Sequence, residues 1–132
     1  MDIMRFEAEG KPPIDNFREP QVVRAIKALK SYGPSSYASI TDADGNYVQV
    51  AGGGVSCMVE HYVVEDSKRT RAYHDNPSPT RPDGTILSFR AGNISMRSDE
   101  WFMSSQVIEI FLSFVNGTEF PTYCHWRDSP GL

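Results

Sequence analysis

Apolar and polar positions recur along this chain with two different periods. Over residues 21–30, Val22, Val23, Ile26 and Leu29 share one face of a helix, while Arg24, Lys27 and Lys30 occupy another. Pro20 suits the first turn, where its missing N–H costs nothing, and Gly33-Pro34 stop the helix. Residues 37–41 and 47–51 are rich in aromatic and β-branched side chains and read as strands, joined through Asp42-Ala43-Asp44-Gly45-Asn46, whose Asp-Gly step signals a hairpin. Gly52-Gly53-Gly54 reads as a second hairpin turn, leading into 55–64, the longest strand candidate. Residues 85–90 predict a fourth strand, broken by Gly92, and 123–126 a short closing strand after Pro121.

The second helix is predicted from Ser98, a good N-cap followed by Asp99 and Glu100, to about residue 116, with Gly117 as its C-cap. Val107, Ile108, Ile110, Phe111, Leu112, Phe114 and Val115 make it apolar on most sides, so it should be heavily buried, with Phe111 and Trp126 as fold residues. Residues 1–17 read as an extended lead-in. Residues 65–83, with three prolines and no periodicity, read as a long loop of the kind that is commonly functional. The expectation is a single α+β domain over 1–132: an antiparallel sheet of about five strands with two main helices packed on one face.

Composition narrows the function classes. The 132 residues carry a net charge of −4, whereas nucleic-acid binders show a basic surplus, so direct nucleic-acid binding is not expected. Such acidity suits solubility or a basic protein partner. No apolar run reaches the roughly 20 residues of a membrane span, and the N-terminus lacks a basic region followed by an apolar one. A cytoplasmic protein away from membranes is therefore expected, with Cys57 and Cys124 as buried free thiols.

Known chemical motifs fail on spacing. The glycine triplet lacks the Lys of a P-loop and the spaced third glycine of a dinucleotide site, and the strand-like residues after it offer no helix N-terminus. The Asp42 segment has its glycine at position four and Gly53 at position twelve, where a calcium loop needs glycine at six and glutamate at twelve. Cys57 and His61 would share a strand face about 13 Å apart, and Cys124 and His125 would point to opposite faces, so these four do not make a zinc site. Neither His-x-Glu with Pro-Cys-x-x-Cys nor Gly-x-Ser-x-Gly occurs. No catalytic residue, metal or cofactor is assigned, although a Cys–His pair distant in sequence stays open.

Phe89-Arg90-Ala91-Gly92, the Ile110-Phe111-Leu112-Ser113-Phe114 helix end, Asn116-Gly-Thr-Glu-Phe-Pro121 and His125-Trp126 together resemble the immunity proteins of bacterial polymorphic toxin systems, and more narrowly the first-named Imm family. Asn46-Tyr47-Val48-Gln49-Val50 with the following glycines and strand is similar to that family's central hairpin, so the resemblance spans roughly residues 20–127. It implies a small cytoplasmic protein that neutralises a cognate toxin domain, often a nuclease or nucleic-acid deaminase with a basic groove, and it carries over no catalytic residue. Tyr and Arg are enriched at interface hot spots, which makes the 65–83 segment the expected contact surface. Its candidates are Glu65, Asp66, Arg69, Arg71, Tyr73, His74 and Asp75, with Asp42 and Asp44 at the hairpin tip as secondary ones. The alternative is a small-ligand module or enzyme with a pocket between sheet and helices and a Cys or His acting in it.

Overall fold

A computed structural model describes residues 4–129. Its elements are β1 (Arg5–Ala8), β2 (Ile14–Asp15), α1 (Glu19–Ala28), β3 (Tyr37–Thr41), β4 (Tyr47–Gly53), β5 (Ser56–Val63), β6 (Lys68–Tyr73), β7 (Thr85–Phe89), β8 (Gly92–Met96), α2 (Ser104–Asn116) and β9 (His125–Asp128). The fold is α+β. Seven strands form one antiparallel sheet in the order β2-β1-β3-β4-β5-β6-β9, and β7 and β8 form a separate hairpin. That is more than the five strands expected; β1, β2, β6 and β8 are the additions.

The lead-in is not merely extended. Phe6 and Ala8 alternate with Arg5 and Glu7, so β1 buries every second side chain and extends the sheet beyond β3. The first half of the predicted 65–83 loop is β6. Its alternation sets Arg69 and Arg71 against Thr70 and Ala72, and both sets contain polar residues, which hides the period. The glycine triplet turns the chain only at Gly54. Gly52 and Gly53 belong to β4, where a Cβ on Gly53 would collide with the Leu29 carbonyl at the end of α1. The triplet therefore serves close packing of helix on sheet as well as the turn.

The second helix begins five residues later than its sequence signals suggest, with Met103 rather than Ser98 at the N-cap. Residues 97–100 form a turn, closed by the Glu100 N–H on the Arg97 carbonyl at 3.1 Å, and Phe102 then pairs backbone to backbone with Cys57, at 3.0 and 2.9 Å, which holds the chain against the sheet before α2. The Met103 N–H is then satisfied by Gln106 Oε1 at 2.9 Å. Gly117 closes α2 in the left-handed region as expected.

Strand alternation divides the sheet into two faces. Phe6, Ala38, Ile40, Val48, Val50, Cys57, Val59 and Ala72 face α1 and α2, whose Val22, Ile26, Val107, Ile110 and Phe111 complete one continuous core. On the opposite face, Ala51 and Met58 pack with Leu87, Ile94 and Met96 of the β7–β8 hairpin and with Trp101 in a smaller second core. The rest of that face holds polar and aromatic side chains, and there the candidate surface lies.

Candidate partner-binding surface

The two acidic turns, remote in sequence, meet in space. The β3–β4 turn is built by Asp42, whose carboxylate accepts bonds from the Asp44 N–H at 2.9 Å, the Asn46 N–H at 3.0 Å and the Asn46 side-chain amide at 3.0 Å. Asn46 Oδ1 in turn accepts the Val64 N–H at 2.8 Å, bolting this turn to the β5–β6 turn. Asp44, Glu65 and Asp66 thus stand exposed side by side at one end of the sheet, with Val64 exposed beside them. Asp42, half-buried, holds the turn with both of its carboxylate oxygens.

From this end a stripe of aromatic and guanidinium groups crosses the polar face. The Tyr47 and Tyr62 rings stack at 5.2 Å, and the Arg69 guanidinium lies 4.7 Å over Tyr62 while its Nε donates to Tyr47 Oη at 3.3 Å. Tyr47 Oη donates to Glu60 Oε1 at 2.8 Å, and burial is the main cause that raises the Tyr47 phenol above its ordinary value. Tyr47 and Tyr62 were not among the sequence candidates. Their signal is the register that sets them directly opposite each other across β4 and β5.

Deeper in the face lies an ion network. Arg71 Nη1 donates to Glu100 Oε1 at 3.3 Å and to the Ser95 carbonyl at 3.0 Å. Arg127 grips Asp99 through two bonds of 2.9 and 2.8 Å, reaches Glu100 Oε2 at 3.3 Å and covers the Tyr73 ring at 4.0 Å. Arg71 and Glu100 are buried. Arg71, proposed from sequence as a surface contact, is therefore a structural residue that anchors the hairpin to the sheet. A cleft of about 320 Å³ borders this network, with Arg71, Arg97 and Arg127 facing Asp83, Glu100 and Asp128.

His74 is also structural. Its Nδ1 accepts the Asn76 N–H at 3.1 Å, which fixes the proton on Nε2, and that N–H donates to the Trp101 carbonyl at 2.7 Å. Its ring meets Phe102 edge-on at 5.0 Å. Tyr73 is half-buried between Arg127 and His125, and the exposed Asp75 pairs with His125 Nε2 at 3.1 Å. The predicted contact set therefore splits. Glu65, Asp66, Asp44 and Arg69 gather near the joined turns, Tyr73 and Asp75 lie at the far end of β6, and Arg71, His74 and Asp42 are bonded into the scaffold.

The two thiols are buried, and His61 is partly so. Burial pushes both the Cys57 and Cys124 thiols up to about 12, so each is protonated at neutral pH and a poor nucleophile. His61 sits among Phe114, Phe120 and Trp126, with ring distances of 6.0, 5.2 and 5.2 Å, and burial lowers its pKa. A cleft of about 350 Å³ lies between α1 and β1–β2, but apolar groups, Gln21, Arg24 and Lys11 line it, with no Cys or His. Among the described residues no group of three His, Cys, Asp or Glu could hold a metal, and no helix is long and apolar enough to cross a membrane. No family model matches the chain, and no curated protein or solved structure matches it either.

Proposed function

We propose that this protein is an inhibitor of the immunity-protein type: it docks the acidic end of its sheet against a basic groove of a cognate toxin domain and so blocks that groove, acting in the cytoplasm without cofactor or chemistry of its own. The observation that carries this reading is the bolted pair of turns. The Asn46–Val64 bond presents Asp44, Glu65 and Asp66 in a fixed array, and the Tyr47–Tyr62–Arg69 stack beside it offers hot-spot side chains already ordered before binding. A nuclease or nucleic-acid deaminase, whose substrate groove must be basic, is the toxin class this array complements.

The test compares wild type with the Glu65→Lys/Asp66→Lys double variant, in capture of a toxin domain from the native host and in relief of that toxin's growth inhibition on co-expression. Charge reversal should weaken binding at least about tenfold, mostly through slower association and more at low salt, while stability shifts by no more than about 0.5 kcal/mol. Undiminished capture and protection by the double variant would remove the acidic turns from the interface. Failure of the wild type to protect against any captured partner would remove the inhibitor reading itself.

A further inference from the structure

The helix-covered side of the sheet carries a second surface, opposite in charge to the joined turns. A cleft of about 350 Å³ opens there between α1 and β1–β2. Phe6, Ala8, Ile14, Ala25 and Ala28 line it with hydrocarbon, while Lys11 and Arg24 stand exposed at its edge. No Asp or Glu lines it. The Lys11 ammonium and the Arg24 guanidinium have no hydrogen bond or ion pair among the described residues, and Lys27 stands exposed three positions further along α1.

The joined turns are the counterpart of that cleft. They project from one end of β3 to β6, with Val64 39 % exposed, Asp44 exposed on one turn and Glu65 and Asp66 on the other. None of these three carboxylates has a cation or a hydrogen-bond donor among the described residues. Their arrangement is fixed in advance. The Val64 N–H is held by Asn46 Oδ1 at 2.8 Å, and the Val64 side chain lies so close to Gly45 that a Cβ there would stand 3.1 Å from Val64 Cγ2. One part of the chain is therefore a projecting apolar side chain among three unpaired carboxylates, and another is an apolar cleft between unpaired cations. The two match in shape, charge and hydropathy. They cannot meet within one chain, because both are fixed to the same sheet.

We propose that the acidic turns of one copy dock in the cleft beside α1 of a second copy, with Val64 against the apolar lining and Asp44, Glu65 and Asp66 facing Lys11 and Arg24. The contact is heterologous, turns to cleft, so each copy keeps one free half of either kind and association continues into short open chains. A contact this small, with its charges at the rim, is weak and reversible. The proposal stands independently of the inhibitor reading. Where both hold, self-association covers the toxin-facing turns, and a toxin has to displace a neighbouring copy to reach them.

Sedimentation velocity of the full chain over a concentration series tests this. The mean mass should rise with concentration at about 0.1 M salt and return to that of a monomer at about 1 M, as the Debye length shrinks from about 10 to about 3 Å. Glu65→Gln/Asp66→Asn removes charge from the turns, and Lys11→Gln/Arg24→Gln removes it from the cleft. All four positions are exposed, so both variants should keep the wild-type denaturation midpoint. Each variant alone should self-associate at least about tenfold more weakly than the wild type. Mixed together, the two should form a dimer and stop there, because one keeps an intact cleft and the other intact turns. A symmetric contact, turns on turns or cleft on cleft, gives no such rescue. A wild type that stays monomeric at every concentration, variants that associate as the wild type does, or a mixture that forms no dimer would overturn the proposal.

Discussion

The two faces of the large sheet are built from the same strands and solve burial in opposite ways. Along β5, Cys57, Val59 and His61 point toward the helices, while Met58, Glu60 and Tyr62 point toward the β7–β8 hairpin. The helix face is nearly all hydrocarbon, held by close packing around Val107, Ile110 and Phe111. The hairpin face buries Glu60, Arg71 and Glu100: Glu100 pairs with Arg71 and Arg127, and Glu60 accepts from Tyr47 Oη, while Glu60 Oε2 and Arg71 Nε stay without a partner. An apolar core tolerates exchange among hydrophobic side chains as long as volume is kept, whereas a buried ion pair is intolerant of a missing partner. This contrast assigns the two faces different work: one makes the fold stable, and the other fixes where polar side chains stand.

The sharpest way to break the helix face is Phe111→Ala. Loss of a fully buried aromatic should cost about 3–5 kcal/mol, read as a lower denaturant midpoint at an unchanged slope, while Phe111→Leu should cost under about 1.5 kcal/mol. On the other face, Glu100→Gln should cost about 3 kcal/mol, because it removes the carboxylate that pairs with the buried Arg71 guanidinium. Replacing both members, Arg71→Met with Glu100→Gln, should cost less than the sum of the two single replacements. A double-mutant cycle that showed simple additivity would mean the pair is not coupled.

A smaller effect comes from His61, which belongs to the apolar side. Burial lowers its folded-state pKa below the ordinary 6.5, so the fold favours the neutral ring. The stability it contributes is complete above pH 6.5 and is lost as pH falls from there through the lower folded value. His61→Phe should flatten the stability profile across that window, measured as denaturation midpoints at successive pH values, and an unchanged slope would exclude His61 as its source.

Much of the helix face was legible in the sequence. The 3.6-residue period of α1, the Asp-Gly hairpin and the apolar run of α2 state their structure locally. The polar face was not legible, and for one reason: a strand that alternates arginine with threonine and alanine shows no hydrophobic period, so β6 read as loop. Arg71 could not be told from Arg69 by spacing, although one stacks on an open tyrosine and the other is buried. A signal was present in Glu60, a lone carboxylate inside the apolar run 55–64, which implied polar company on the neighbouring strand. Ser98, Asp99 and Glu100 misled in the opposite direction, since they look like a helix start but serve as partners of Asp83, Arg127 and Arg71.

The register of β9 has a consequence for the order of assembly. Strands β3 to β6 follow one another as hairpins and can zip from local contacts, but β9 pairs with β6 only after the chain has passed through the β7–β8 hairpin and the whole of α2. Arg127 arrives with it, so until that last pairing Asp99 has no cation and Glu100 has only Arg71. Contacts that form after the folding barrier leave the folding rate alone and govern unfolding instead. Arg127→Ala should therefore steepen escape from the native state in stopped-flow unfolding with little change in refolding, making β9 the latch that sets how long this protein stays folded.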